Sequence, residues 1–295
     1  MDLTVVVPAF NEAGAVRPTI VDLANSLADS GIEHQILVVD DGSSDGTGEV
    51  LDELSTTLAN VRVMRHRQNR GYGASLKTGI RAAVSDVVAI TDADGTYPNE
   101  RIPELYRKLV DDGADMVVGA RIGANVHIPL VRRPAKALLR YLANYLSGNK
   151  IPDLNSGLRI MRKDPLVSCF PLVSDGFSFT TTTLLAFLAR DQHVVYVPID
   201  YEHRTGKSKI RPIQDTFNFT VLILRVCTHF DPLRVFVPAA GLLATLGLGL
   251  GAYQVSTLNG IGELPVLLLV AALQVLLSGL IADMISRRHG PEAKP

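Results

Sequence analysis

Val87-Val88-Ala89-Ile90-Thr91-Asp92-Ala93-Asp94 is an uncharged, largely β-branched run that stops at two carboxylates one residue apart. A run of this length and composition reads as a strand buried on both faces. Working outward, the pattern repeats. Leu3–Val7 is a similar run that halts at Pro8, and Ile36–Val39 runs into Asp40-Asp41-Gly42-Ser43-Ser44. Val61–Arg65 reads as a third strand, and Met116–Gly119 ends before Ala120-Arg121. Helical patterns at about 15–28 and 46–58 separate the first three strands. Strands alternating with helices over some 120 residues predict an α/β domain with a mostly parallel sheet. In such a sheet, ligands sit beyond the carboxyl ends of the strands, where Asn11-Glu12, Asp40-Asp41, Asp92–Asp94 and Arg121 fall.

Each cluster has a chemical and a structural reading. Asp92 and Asp94 can meet one hard cation, since Mg²⁺ typically takes one or two carboxylates plus substrate phosphates; the alternative is an Asp that caps the next helix. Pro8-Ala9-Phe10-Asn11-Glu12 turns a polar pair toward the ligand edge or is only a turn. Asp40 and Asp41 can accept from a base N–H or ribose hydroxyls, or form a tight acidic turn with Asp45 capping the following helix. Asn69-Arg70-Gly71-Tyr72-Gly73-Ala74 resembles a phosphate-cradling glycine loop that opens a helix, although such glycines commonly mark plain turns. Lys77, one turn on, either reaches a phosphate or is solvated.

Composition narrows the class. The 295 residues carry 29 Lys+Arg against 30 Asp+Glu, which argues against a nucleic-acid binder. The two cysteines, Cys169 and Cys227, have no metal-site spacing and read as reduced thiols. Met1-Asp2-Leu3-Thr4 lacks a basic leader, so the N-terminal part is expected in the cytosol.

Residues 130–200 are more mixed, with helices expected near 131–147 and 178–190 and a strand near 194–197. From Pro212 to His229, Ile213, Phe217, Val221 and Leu224 share one stripe, which suits a helix in the membrane interface or an ordinary domain helix. Val235–Val255 and Leu264–Ala282 contain no charge, and each has the roughly 20 residues that a bilayer core needs. Arg234 flanks one end of the pair, Arg287 and Arg288 flank the other, and the loop between has no Lys or Arg. The positive-inside rule then places both ends in the cytosol. The expected organisation is a cytosolic domain over 1–211, an amphipathic interfacial helix over 212–231, a two-helix membrane hairpin within 232–286 and a cytosolic tail over 287–295. The basic stretch His203–Arg211 reads as a patch drawn to anionic lipid, at about 1 kcal/mol per basic residue, and as a diphosphate clamp.

In order, Val6–Glu12 (VVPAFNE), Val39–Thr47 (VDDGSSDGT), Asn69–Ala74, Asp92–Asp94, Ser156–Arg159 (SGLR) and Gly206–Lys209 (GKSK) form a specific set. On these motifs the chain resembles family 2 glycosyltransferases of the GT-A fold over nearly its whole length. It looks most like their polyprenyl-phosphate branch, the dolichyl-phosphate mannose synthase-like enzymes. The resemblance implies a UDP- or GDP-sugar donor, Mg²⁺ or Mn²⁺, and a polyprenyl phosphate acceptor, undecaprenyl or dolichyl, reached from the membrane. Pro8, Ala9, Asn11, Glu12, Asp40, Asp41, Lys77 and Ala93 would line the nucleotide site. Asp92 would contact the nucleotide, and Asp94 the metal with Asp92 beside it. Arg121, Arg132, Arg133 and Ser156 would hold the acceptor phosphate, and Arg204 and Lys207 would close over the donor. Hairpin-anchored enzymes of this kind often form homo-oligomers.

Two departures stand out. Relatives often carry Gln where Thr96 follows the Asp pair, leaving the metal shell here to water. Many carry an acidic residue after G-F-x-F, whereas Gly176-Phe177-Ser178-Phe179 leads into Thr180-Thr181-Thr182-Thr183. A sugar hydroxyl needs a base to take its proton; an ionised phosphate does not. The missing carboxylate therefore favours a lipid-phosphate acceptor. A saccharide acceptor is the alternative enzyme reading, and a non-catalytic nucleotide-sugar scaffold the alternative outside enzymes. A processive synthase fits poorly, because its usual Q-x-x-R-W needs a Trp and the chain has none. Two short-looped spans also leave no room for a transporter's repeats.

Overall fold

A computed structural model describes residues 1–122, 141, 143–145, 148–176, 178–200, 212–258, 260 and 262–288. The strands are β1 (Leu3–Ala9), β2 (His34–Asp40), β3 (Val61–Arg65), β4 (Val87–Ile90), β5 (Met116–Ala120), β6 (Arg159–Arg162) and β7 (Val194–Pro198). They form one sheet in the order β3-β2-β1-β4-β6-β5-β7. β6 runs antiparallel to both its neighbours, β4 and β5, and the other pairings are parallel. The expected α/β architecture is present, with β6 as an insertion that the sequence reading does not contain.

The sheet is covered on both faces, which is why its strands read as continuous apolar runs. Val5 and Val7 join Ile20, Leu23 and Leu51 in one core, under α1 (Val16–Ala28), α2 (Thr47–Thr57) and α4 (Ile102–Asp111). Val6, Val88 and Ile90 point the other way, toward Leu76, Leu184 and Phe187. That side is covered by α3 (Tyr72–Ala82), α5 (Lys163–Ser168) and α6 (Phe179–Ala189).

Pro8 does not end its strand. β1 continues to Ala9, with Pro8 opposite Val39 of β2. Pro8 shares the parity of Val6, whose carbonyl accepts from Thr91 on the β4 side. The β4 ladder stops at Val6–Ile90, so the missing N–H of Pro8 loses no strand partner.

α7 (Pro212–Phe230) leads into α8 (Leu233–Leu258) and α9 (Glu263–Arg288). Ile223, Val226 and Cys227 of α7 are buried in the same core as Leu184 and Leu185 of α6, while Val221 is exposed. Of the expected stripe, Leu224 packs partly buried against this core and Val221 faces outward, so the C-terminal half of α7 rests on the domain through a face centred on Ile223 and Cys227. Cys169 and Cys227 are free and buried, and burial pushes the Cys227 thiol up to about 12. α8 and α9 are long and apolar enough to cross a membrane. Only 11% and 17% of their most apolar windows is buried, which excludes a pair of core helices. Leu242, Leu248 and Leu267 are each 63% exposed. The expected helix near 131–147 lies largely outside the described residues.

Truncation separates the two faces of α7. Ile223→Ala is expected to lower stability by about 2–5 kcal/mol, and Val221→Ala by less than about 0.5 kcal/mol. Thermal midpoints of the detergent-solubilised chain check this; equal losses would contradict the packing described.

Candidate functional site

The carboxyl ends of β1 and β2 carry loops that lock together. Asn11 is left-handed (φ 55°), a conformation Asn tolerates. Its side-chain oxygen accepts from Ser44 N at 2.9 Å, and its own N–H donates to Ser43 Oγ at 3.0 Å. Glu12 N donates to Thr47 Oγ1 at 2.9 Å. Asp45 accepts from Ala13 N at 3.2 Å and from Thr47 N at 3.1 Å. It ties the loops together and does not cap α2, whose N-cap is Gly46. Pro8 and Ala9, at the end of β1, are buried beneath this junction.

Asp40 and Asp41 are both buried. Asp40 accepts from Ser43 N at 3.0 Å and lies 3.7 Å from the Arg65 guanidinium. Asp41 meets His66 Nδ1 at 2.6 Å and accepts from the Arg70 and Gly71 amides at 2.9 and 2.8 Å. Asp41 thereby fixes the loop before α3, and Asp40 fixes the turn after β2. A polar cavity of about 390 Å³ opens beside it, lined by residues that include Asp40, Ser43, Ser44, Glu49, His66 and Arg67.

The glycine loop has a different role from the one its spacing suggests. A Cβ on Gly71 would stand 2.8 Å from the Asp175 carbonyl oxygen, and one on Gly73 would stand 2.3 Å from that of Ser174. Ala74 N donates to Asp175 O at 2.9 Å. The glycines admit another stretch of backbone, which takes up the helix N-terminus offered to a phosphate. Lys77 is buried and held within the protein: its ammonium donates to Val173 O at 2.5 Å and pairs with Asp175 at 2.6 Å.

Asp92 and Asp94 follow β4 and are half-buried, with Ala93 buried between them. Asp92 Oδ1 accepts from the Tyr72 hydroxyl at 2.9 Å. Burial and the Asp92 charge push the Tyr72 phenol well above its ordinary value, so it remains a donor. Asp94 Oδ1 accepts from Thr96 Oγ1 at 2.7 Å and from Thr96 N at 3.2 Å. Thr96 thus orients Asp94 from the position where Gln was expected. Among the described residues no group of three or more His, Cys, Asp or Glu could hold a metal. The pair fits a hard cation that takes its remaining ligands from substrate phosphates and water.

Beyond β5, Arg121 forms a two-pronged pair with Asp153, with Nε and Nη2 at 2.7 and 3.0 Å. Burial alone would raise the Asp153 carboxyl, but the bonds and charge of Arg121 outweigh it and hold it at about 2. Ser156 is fully buried and its hydroxyl donates to Gly119 O at 2.5 Å, tying this loop to the end of β5. Sequence reasoning assigned Arg159 no role. It is fully buried, and donates to Ser156 O at 2.9 Å, Leu154 O at 3.0 Å and Thr180 O at 2.5 Å. Burial lowers its guanidinium to about 10, still ionised at neutral pH. Its only signal in the sequence is its place in Ser156–Arg159. At the start of α6, Thr181 donates to Asn155 Oδ1 at 2.5 Å, and Thr182 and Thr183 donate back to Ser178 O and Phe179 O. Arg132, Arg133, Arg204 and Lys207 lie outside the described residues.

Residues 4–170 match the model of Glycosyl transferase family 2, and residues 231–287 match that of the GtrB C-terminal hairpin. The dolichyl-phosphate hexose transferase of Haloferax volcanii is 30% identical over 77% of this chain and 94% of its own length. The undecaprenyl-phosphate mannosyltransferase of Micrococcus luteus is 28% identical over 71% of this chain and 88% of its own. Glucosyl-3-phosphoglycerate synthase of Mycobacterium tuberculosis, solved with uridine diphosphate, superposes with a TM-score of 0.59 at 20% identity. It covers 77% of this chain and 80% of its own, a likeness of fold. The mixed, mostly parallel sheet is the GT-A-like core of that fold, and the chain belongs to glycosyl transferase family 2.

Proposed function

We propose that the protein is a membrane-anchored inverting glycosyltransferase that moves a sugar from a nucleoside-diphosphate sugar to a polyprenyl phosphate. One observation carries this reading: a carboxylate-lined sheet edge is joined, in one chain, to two helices whose apolar side chains face outward. The relatives named for dolichyl-phosphate and undecaprenyl-phosphate transfer support it. So does the start of α6, which presents threonine hydroxyls bonded within the protein where a base would stand. Asp153, held at about 2, is no base at neutral pH.

The nucleotide binds at the loops after β1 and β2. Asp92 and Asp94 would hold Mg²⁺ or Mn²⁺ against the diphosphate; the mycobacterial synthase of like fold is solved with Mn²⁺ and uridine diphosphate. When bound, the ion offsets charge growing on the leaving group. Arg121, braced by Asp153, faces the acceptor phosphate, with Arg132 and Arg133 as further basic groups. Arg204 and Lys207 would supply positive charge to the donor diphosphate. A phosphate oxygen of the acceptor attacks the anomeric carbon from the face opposite the diphosphate. The bond to the diphosphate breaks, the nucleoside diphosphate leaves, and the configuration inverts. Arg234, Arg287 and Arg288 keep both ends of the hairpin, and with them the catalytic domain, on the cytosolic side of the cell membrane.

Asp94→Ala is expected to lower transfer of labelled sugar into the lipid phase by about 100-fold or more, while the variant still sediments with membranes. Near-normal turnover would refute the metal role, and equal labelling of a plain sugar hydroxyl would refute the acceptor. Asp153→Asn removes the charge of a buried, two-pronged partner of Arg121 and is expected to cost about 3 kcal/mol of stability at pH 7. The Asp153 carboxyl is lowered from its ordinary 3.8 to about 2, so its contribution is full above 3.8 and fades as pH falls toward 2. The gap between variant and wild type in denaturant midpoint therefore narrows over that window; a constant gap would contradict the pairing.

A further inference from the structure

Tyr72 stands inside a motif whose spacing suggests phosphate binding, yet its hydroxyl is 2.9 Å from Asp92 Oδ1. The backbone on either side of it is pinned. Asp41 accepts from the Arg70 and Gly71 amides, and Ala74 N donates to Asp175 O. Lys77 fastens the 173–175 segment from one turn further along α3. The ring packs against the core beneath α3. Asp92 is also walled on its far side: a Cβ on Gly157 would stand 3.0 Å from Asp92 Oδ2, and Gly157 N donates to the Tyr97 hydroxyl at 2.6 Å.

We infer that Tyr72 is the positioning residue of the Asp92-Ala93-Asp94 motif, setting the rotamer of Asp92 so that the pair can share one cation. The loop 69–74 thereby links the buried Asp41 to the metal-side carboxylate through three residues of fixed backbone. Thr96 performs the same service for Asp94 through its hydroxyl and amide, so each carboxylate has its own neutral donor. Outer donors of this kind commonly change metal affinity about 10-fold or more when removed. The inference rests on the metal reading given above.

The test is calorimetric binding of uridine and guanosine diphosphates to the full chain in detergent, with Mn²⁺ and with a chelator. Wild type and Tyr72→Phe are compared, the latter keeping the ring and losing only the donor. The expected result is a Mn²⁺-supported affinity about 10-fold weaker in Tyr72→Phe, with metal-free affinity unchanged. Tyr72→Leu, which removes ring and donor together, should lose at least as much of the Mn²⁺ response. A Mn²⁺ response that Tyr72→Phe retains overturns the inference alone, as does an equal loss with and without metal. A wild-type protein whose nucleotide binding ignores Mn²⁺ overturns the metal reading, and the inference with it.

Discussion

The loop that holds Asp153 and Gly157 depends on one buried guanidinium, that of Arg159. Removing an ion from water carries a penalty of several kcal/mol, and Arg159 offsets it by donating to three main-chain carbonyls. Leu154 and Ser156 flank the loop that these bonds shape, and Thr180 opens α6. From that loop Asp153 braces Arg121, Asn155 receives Thr181, and Gly157 meets Tyr97 beside Asp92. β6 carries Arg159 into the sheet by running antiparallel between β4 and β5. The inserted strand is thus the element through which α6, the Arg121–Asp153 pair and the Asp motif are held to one frame.

Much of the frame is legible in the sequence, for a definite reason. β1, β2, β4 and β5 are buried on both faces and end in polar residues, so composition marks both the strand and its ligand end. β6 escapes the same logic. Its four residues include Arg159 and Arg162, and charged residues read as surface until a structure supplies the carbonyls that receive them. The glycine loop fails differently. Gly71 and Gly73 mark a close approach, but the approaching group lies about a hundred residues later in the chain, and glycine spacing alone does not distinguish a phosphate from a neighbouring main chain. The partners of Lys77, Val173 and Asp175, are as remote in sequence and as little signalled by it. In α7, Val221 to Leu224 are four consecutive apolar residues, so periodicity leaves the buried face undecided.

The site and the hairpin make one chemical argument. A hydroxyl acceptor needs a general base to remove its proton, and the start of α6 offers threonines already bonded to Asn155 and to helix carbonyls. A phosphate acceptor arrives ionised, so it needs a cationic seat, the role proposed for Arg121, whose geometry is set by Asp153. A long polyprenyl chain supplies the reason for an outward-facing apolar hairpin on a domain that otherwise has an ordinary two-layered core. The sugar and the base are recognised by groups that the Asp motif does not encode, so the acceptor class follows from these features and the donor's identity does not.

The central claim is that the acceptor is a lipid phosphate and that transfer inverts the sugar. Its most direct measurement is the structure of the product formed by the reconstituted full chain from a polyprenyl phosphate and a panel of labelled nucleotide-sugars. The account predicts label in the organic phase as a sugar–phosphate diester, with anomeric configuration opposite to that of the donor. A water-soluble saccharide as the product, or a lipid product with retained configuration, would contradict it.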